Sequence, residues 1–257
     1  MVTDLVARLG SRALVPAEVQ TGWDLSDYVG LLYRDGVGAE VESIVRRARE
    51  LRRLDPARLR AVLTALADPP GAELNKARIA AASGVPVTTL APYVDALVEL
   101  GVVVLLPGCR AAVAKRAIRR PRALVADAAL GRHLGARRFA SRSDLGARRW
   151  LAPHLRSLVA TELVRQQATS VVGHRVGYLR ERNGLAVDLV VELPDERVFS
   201  IEVRTAAALR PHQFDALHAL SRRAGSRMIG GVVLNTASRG HRYGPQMWSL
   251  PISAVWE

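Results

Sequence analysis

Two stretches of alternating residues, Gly184-Leu-Ala-Val-Asp188-Leu-Val-Val191 and Val198-Phe-Ser-Ile-Glu202-Val-Arg204, constrain this chain more than any other feature in it. Their β-branched, period-two pattern predicts half-buried strands. Val187, Leu189 and Val191 then share one face and Asp188 the other. In the second strand Phe199, Ile201 and Val203 face away from Ser200, Glu202 and Arg204. If the loop around Pro194-Asp195-Glu196 closes a symmetric hairpin, Asp188 lies directly across from Glu202, with Cβ atoms roughly 5 Å apart. Two carboxylates that close repel unless a cation neutralises them. Arg204 and a bound Mg²⁺ are the two candidates. The competing reading is an Asp–Glu–Arg charge cluster on a solvated sheet face.

The rest of the chain divides around this pair. Residues 1–66 read as a helical segment, with Leu5, Leu9, Tyr28, Leu31, Leu32, Ile44, Leu51, Leu54, Leu59, Val62, Leu63 and Leu66 at helical spacing. Gln20 to Asp27 supply capping residues between helices. Residues 67–122 predict a winged helix-turn-helix. Its first helix is the piece that runs from Leu74 and ends at Gly84; a second, capped by Thr88 or Thr89, carries Leu90, Val94, Leu97 and Leu100, and the apolar Val102 to Leu106 forms a strand. The exposed positions of that second helix, Ala91, Pro92, Asp95 and Glu99, offer nothing to read base edges. Residues 123–257 predict a mixed α/β domain: a helix from His154 to about Gln167, the hairpin, a helix from Pro211, a strand from Met228 to Leu234 and a last one from Leu250 to Trp256. The fold class is therefore α+β.

Charge points to a partner. The 37 Lys and Arg against 24 Asp and Glu leave a net charge of +13, and a surplus of that size favours a polyanion such as nucleic acid through counterion release. Arg110, Lys115, Arg116, Arg119, Arg120 and Arg122 cluster without an acid among them and are the candidate phosphate contacts. A second basic run, Arg132 to Arg149, reads as a loop. The longest apolar run is too short to span a bilayer, and no secretion signal is seen. The single cysteine, Cys109, excludes an internal disulfide and a cysteine zinc site. A cytoplasmic location is expected. No GxxxxGK(S/T) loop occurs, so no ATP site is expected in this chain.

Asp188 followed by Glu202-Val203-Arg204 resembles the D…(D/E)xK core of the PD-(D/E)XK nuclease-like fold, with Arg204 where that pattern has lysine. More widely, the chain from Trp23 to Glu257 is similar to the C-terminal half of a bacterial group of AAA-type ATPases, family 4143 of the domains of unknown function. The similarity rests on Leu74-Asn75-Lys76, Thr88-Thr89-Leu90 with Tyr93 and Leu97, Lys115-Arg116 before Pro121 to Asp127, Thr161-Glu162-Leu163, Arg180 to Gly184, Val187-Asp188 and Ile201-Glu202-Val203. The resemblance implies a winged helix joined to a PD-(D/E)XK-like domain, normally attached to a nucleotide-binding domain that this chain is read as lacking. It also implies Mg²⁺ held by Asp188 and Glu202, with Glu162 as the helical third acid, and Arg156 stands where such domains often carry a glutamate. Arg204 stays protonated and cannot act as a base, so the first expectation is a non-catalytic nucleic-acid-binding or regulatory module. A Mg²⁺-dependent nuclease using Asp188, Glu202 and Arg204 is the second. A module that pairs with a separate ATPase or with itself is the third.

Overall fold

The computed structural model describes residues 19–114, 116–135, 148–182 and 184–256, and Lys115 and the expected cations between 136 and 147 lie outside them. In chain order the helices are α1 (Leu25–Gly30), α2 (Val37–Arg52), α3 (Pro56–Ala67), α4 (Lys76–Ser83), α5 (Ala91–Glu99), α6 (Ala128–Leu134), α7 (Arg148–Gln166) and α8 (Asp215–Ala224). The strands are β1 (Val103–Leu106), β2 (Arg122–Val125), β3 (Arg175–Arg180), β4 (Ala186–Glu192), β5 (Val198–Val203), β6 (Met228–Asn235), β7 (His241–Gly244) and β8 (Met247–Pro251). The α+β expectation is met. Among the described residues no helix is long and apolar enough to cross a membrane.

The chain folds back on itself into two compact units. One takes Val29–Leu106 and Arg120–Thr161, the other Met1–Tyr28, Pro107–Arg119 and Glu162–Glu257. The first unit buries Val41, Ile44, Leu59, Leu63, Leu66, Ile79, Leu90 and Leu97 in one cluster; all but Val41 and Ile79 were anticipated from helical spacing, whereas Leu31 and Leu51, also expected on the apolar stripes, are exposed. Asn75 caps α4, its Oδ1 accepting from the N–H groups of Ala77 and Arg78, and Gly84 ends it at φ +70°, a conformation that favours glycine. A 3₁₀ turn, Val87–Thr89, leads into α5, and β1 pairs antiparallel with β2. The expected threonine cap is not used: Leu90 precedes α5 without a side-chain bond, and Thr89 Oγ1 instead donates to Pro86 O. Pro92 in the first turn has no N–H, which removes one of the donors a cap would satisfy.

Two basic stretches are more ordered than expected. Arg132 belongs to α6 rather than to a loop, its Nε donating to Leu32 O and its guanidinium lying 4.2 Å from the Tyr33 ring centroid. The helix expected from His154 runs from Arg148, with Pro153 inside it.

The second unit is built on a six-stranded mixed sheet in the order β3-β4-β5-β6-β8-β7. β5, β6 and β8 are parallel and the other pairs antiparallel. β3, β7 and most of β8 were not anticipated, and the strand placed at Leu250–Trp256 is instead the end of β8 and a 3₁₀ turn, Ile252–Val255. β4 and β5 form the expected hairpin, closed by a turn in which Glu196 takes φ +63° and its N–H meets Leu193 O. Their faces are not half solvated. Every residue of β5 is buried, because the strand lies inside the sheet, with α8 packed on one face. On that side Val190, Val198 and Val233 meet Leu217 and Leu220 of α8, while Phe199 stacks on Trp248 at 6.1 Å.

The outer edge of β3 is covered. Cys109 N–H donates to Tyr178 O, Tyr178 N–H to Pro107 O and Ile118 N–H to Arg180 O, so the segment 107–118 is tied along the edge. An open edge would present unpaired backbone groups to other chains, and this strap removes them.

Candidate functional site

Asp188 on β4 and Glu202 on β5 do meet. The ladder pairs Leu189 with Ile201, and one step further along it these two acids come opposite each other. The main chain binds them in a reciprocal way: Asp188 N–H donates to Glu202 Oε1 at 3.2 Å and Val203 N–H donates to Asp188 Oδ2 at 3.1 Å. A bulge sits at this point. Between Gly177 and Leu179, β3 advances two residues while β4 advances three, from Val190 to Val187. As a result Val187 and Val190 enter the same core cluster, which corrects the strict alternation expected through Asp188.

Arg204 closes the group. Its guanidinium lies 3.2 Å from Asp188 Oδ2 and 2.5 Å from Glu202 Oε2, so one planar cation spans both carboxylates. Its position is set by the sheet: Arg204 N–H donates to Leu234 O of β6, and Thr236 Oγ1 donates to Thr205 O one residue on. These supports from β6 are 30 or so residues away in sequence and gave no signal there. Glu202 is only 3% exposed. Burial, and then the charge of Asp188, push its carboxyl up to about 8, and Arg204 only partly offsets them.

These residues do not fit the Mg²⁺ that the resemblance implies. Both oxygens of Glu202 and Oδ2 of Asp188 already accept from N–H donors, and the guanidinium takes the side of the pair that a bridging cation needs. The third expected ligand is not brought to the pair. Glu162 on α7 accepts from Gln166 Nε2 at 3.1 Å and lies 3.5 Å from Arg165, and among the described residues no three His, Cys, Asp or Glu are grouped to hold a metal ion.

The candidate phosphate contacts fall in both units. Arg110, Arg116 and Arg119 belong to the sheet unit, Arg120 and Arg122 to the helical one. Arg110 and Arg116 are exposed, and Glu192 Oε1 anchors the backbone N–H groups of Arg110 and Ala111. Arg119 is bonded to Cys109 O, Arg120 lies 3.9 Å from Glu73, and Arg122 is half-buried within β2. Sequence reasoning also missed Glu181, a buried acid at the β3–β4 turn paired with Arg223 of α8. The hairpin-like run Arg180 to Gly184 was its only trace.

Two family models match the chain. Residues 30–143 match Domain of unknown function (DUF8612), and residues 154–255 match Domain of unknown function (DUF4143). The second meets the expected resemblance over the sheet unit's main segment, whereas the part of the chain from residue 30 to 143, expected to belong to the same family, matches a different model. No curated protein matches the chain. The acid pair and the sheet that carries it thus lie within the segment, residues 154–255, that matches the DUF4143 model.

Proposed function

We propose that this protein is a nucleic-acid-binding or regulatory module whose PD-(D/E)XK-like domain is non-catalytic. The observation that carries this reading is the Arg204 guanidinium spanning Asp188 and Glu202, an internal countercharge where a nuclease would need a free pair of metal ligands. The surplus of +13 favours a polyanionic partner. A cleavage assay on plasmid DNA with Mg²⁺ or Mn²⁺ tests the non-catalytic half: neither wild type nor Asp188→Ala is expected to cut, and metal-dependent cutting by wild type that Asp188→Ala abolishes would overturn it. A salt titration of duplex binding tests the other half, because affinity should fall at least tenfold between low and moderate salt.

The juxtaposition of Asp188 and Glu202 itself favours a second reading, a Mg²⁺-dependent nuclease in which Arg204 swings away to admit the metal. The same cleavage assay separates the two. The helix-turn-helix and its β1–β2 ribbon support a winged-helix role in docking, with a separate ATPase or a second copy as partner. Co-purification with that ATPase is its test.

A further inference from the structure

From Val203 to Trp256 the chain carries seven arginines, Arg204, Arg210, Arg222, Arg223, Arg227, Arg239 and Arg242, and a single acid, Asp215. Within this stretch one aromatic ring stands out from the surface. Tyr243 on β7 is 45% exposed, against 1% for the Phe214 ring beneath it. The two rings stack with centroids 4.4 Å apart and planes 25° from parallel, and the Tyr243 hydroxyl donates to Leu209 O at 3.2 Å. A bulge causes this placement. Arg242 pairs with Trp248 and Gly244 with Met247, so Tyr243 is the extra residue, pushed out of the ladder and onto Phe214.

The ring is thus held at both ends and covered on one face, and the area it still exposes belongs to its other face and edges. Cations adjoin it. Arg242 precedes it, with Nε donating to Gly244 O and a terminal nitrogen to Pro245 O, both at 2.9 Å. Arg210 follows Leu209, whose carbonyl holds the tyrosine hydroxyl. Among the described residues neither Arg210 nor Arg242 has a carboxylate partner, and both are exposed. A ring fixed at both ends with one face open, on a segment whose flanking arginines lack a carboxylate partner, suits an unstacked base with its phosphates, whereas the paired bases of a duplex keep their faces to themselves.

We propose that Tyr243 is a stacking platform for a base of single-stranded nucleic acid, with Arg210 and Arg242 meeting the adjoining phosphates. This rests on the nucleic-acid reading above and narrows it to unpaired strands. The test is fluorescence anisotropy of the full chain with a labelled oligothymidylate and, separately, a labelled duplex. Tyr243→Ala should weaken single-strand binding by about tenfold, the loss of one base–aromatic stack, and leave duplex binding unchanged. Tyr243→Phe, which keeps the ring, should retain most of the affinity. Should Tyr243→Ala lower the melting temperature, Arg210→Ala carries the test, with weaker single-strand binding and a salt slope shallower by about one. Wild-type affinity in a folded Tyr243→Ala, or in Arg210→Ala, overturns the platform but not the broader reading, as does wild-type binding to the duplex alone. A wild type that binds neither probe overturns both.

Discussion

Glu202 is the residue at which the chemistry of the sheet is concentrated. A carboxyl whose folded pKa is raised above its ordinary value near 4.5 favours folding fully below that value, and the contribution is lost as pH rises through about 8. His154 acts in the opposite sense: burial, then the charge of Arg132, lower it to about 4, so its contribution is present above 6.5 and is lost as pH falls towards 4. Of these two effects, only that of Glu202 operates between pH 6.5 and 8. Glu202→Gln, measured by urea unfolding across that window, should therefore gain stability relative to wild type as pH rises, by an amount on the order of 2 kcal/mol. A pH-independent difference between the two proteins would contradict the raised carboxyl. Arg204→Ala leaves two facing acids without their countercharge. With the guanidinium about one-third exposed, the expected loss at pH 7 is about 1–3 kcal/mol, below that of a fully buried pair. Added Mg²⁺ should raise the melting temperature of this variant and not that of wild type, since only the variant has carboxylate oxygens released from the guanidinium.

Elements decide which of these residues meet. β5 and β6 pack so closely against the aromatic layer that Gly230 has no room for a side chain: a Cβ there would fall against the Trp248 ring and 2.9 Å from Phe199 Cε2. Gly230→Ala should destabilise the protein by about 1–3 kcal/mol in denaturant unfolding, the cost of overpacking a close-packed core. The hairpin of β4 and β5 was legible because alternation and a turn specify register without help from elsewhere. The bulge at Asp188 was not, since it depends on β3, a strand whose glycine and arginines hide its pattern. β7 was missed for a similar reason: it is short, exposed and polar, as edge strands tend to be.

For the whole molecule, charge and topology pull the reading in different directions. The basic run 110–122 looks like a continuous phosphate-binding stretch in sequence, but its residues divide between two units, and part of it serves to cover a sheet edge. If nucleic acid contacts a surface of about three phosphates, affinity should fall roughly 40-fold for a fourfold rise in salt, measured by anisotropy on the full chain. A flat response would show that the excess charge reflects composition alone. Local rules sufficed for most of the helical stripes of the first unit, the helix end at Gly84, and the approach of Asp188 to Glu202, because each depends on residues close together in the chain. Tertiary structure alone decided that β5 is buried on both faces, that Arg204 is held against both acids by β6, that Glu162 stays apart from them, and that Tyr243 rests on Phe214. Those outcomes depend on strands and helices far apart in sequence being brought together, and periodicity carries no information about which distant element will be the neighbour.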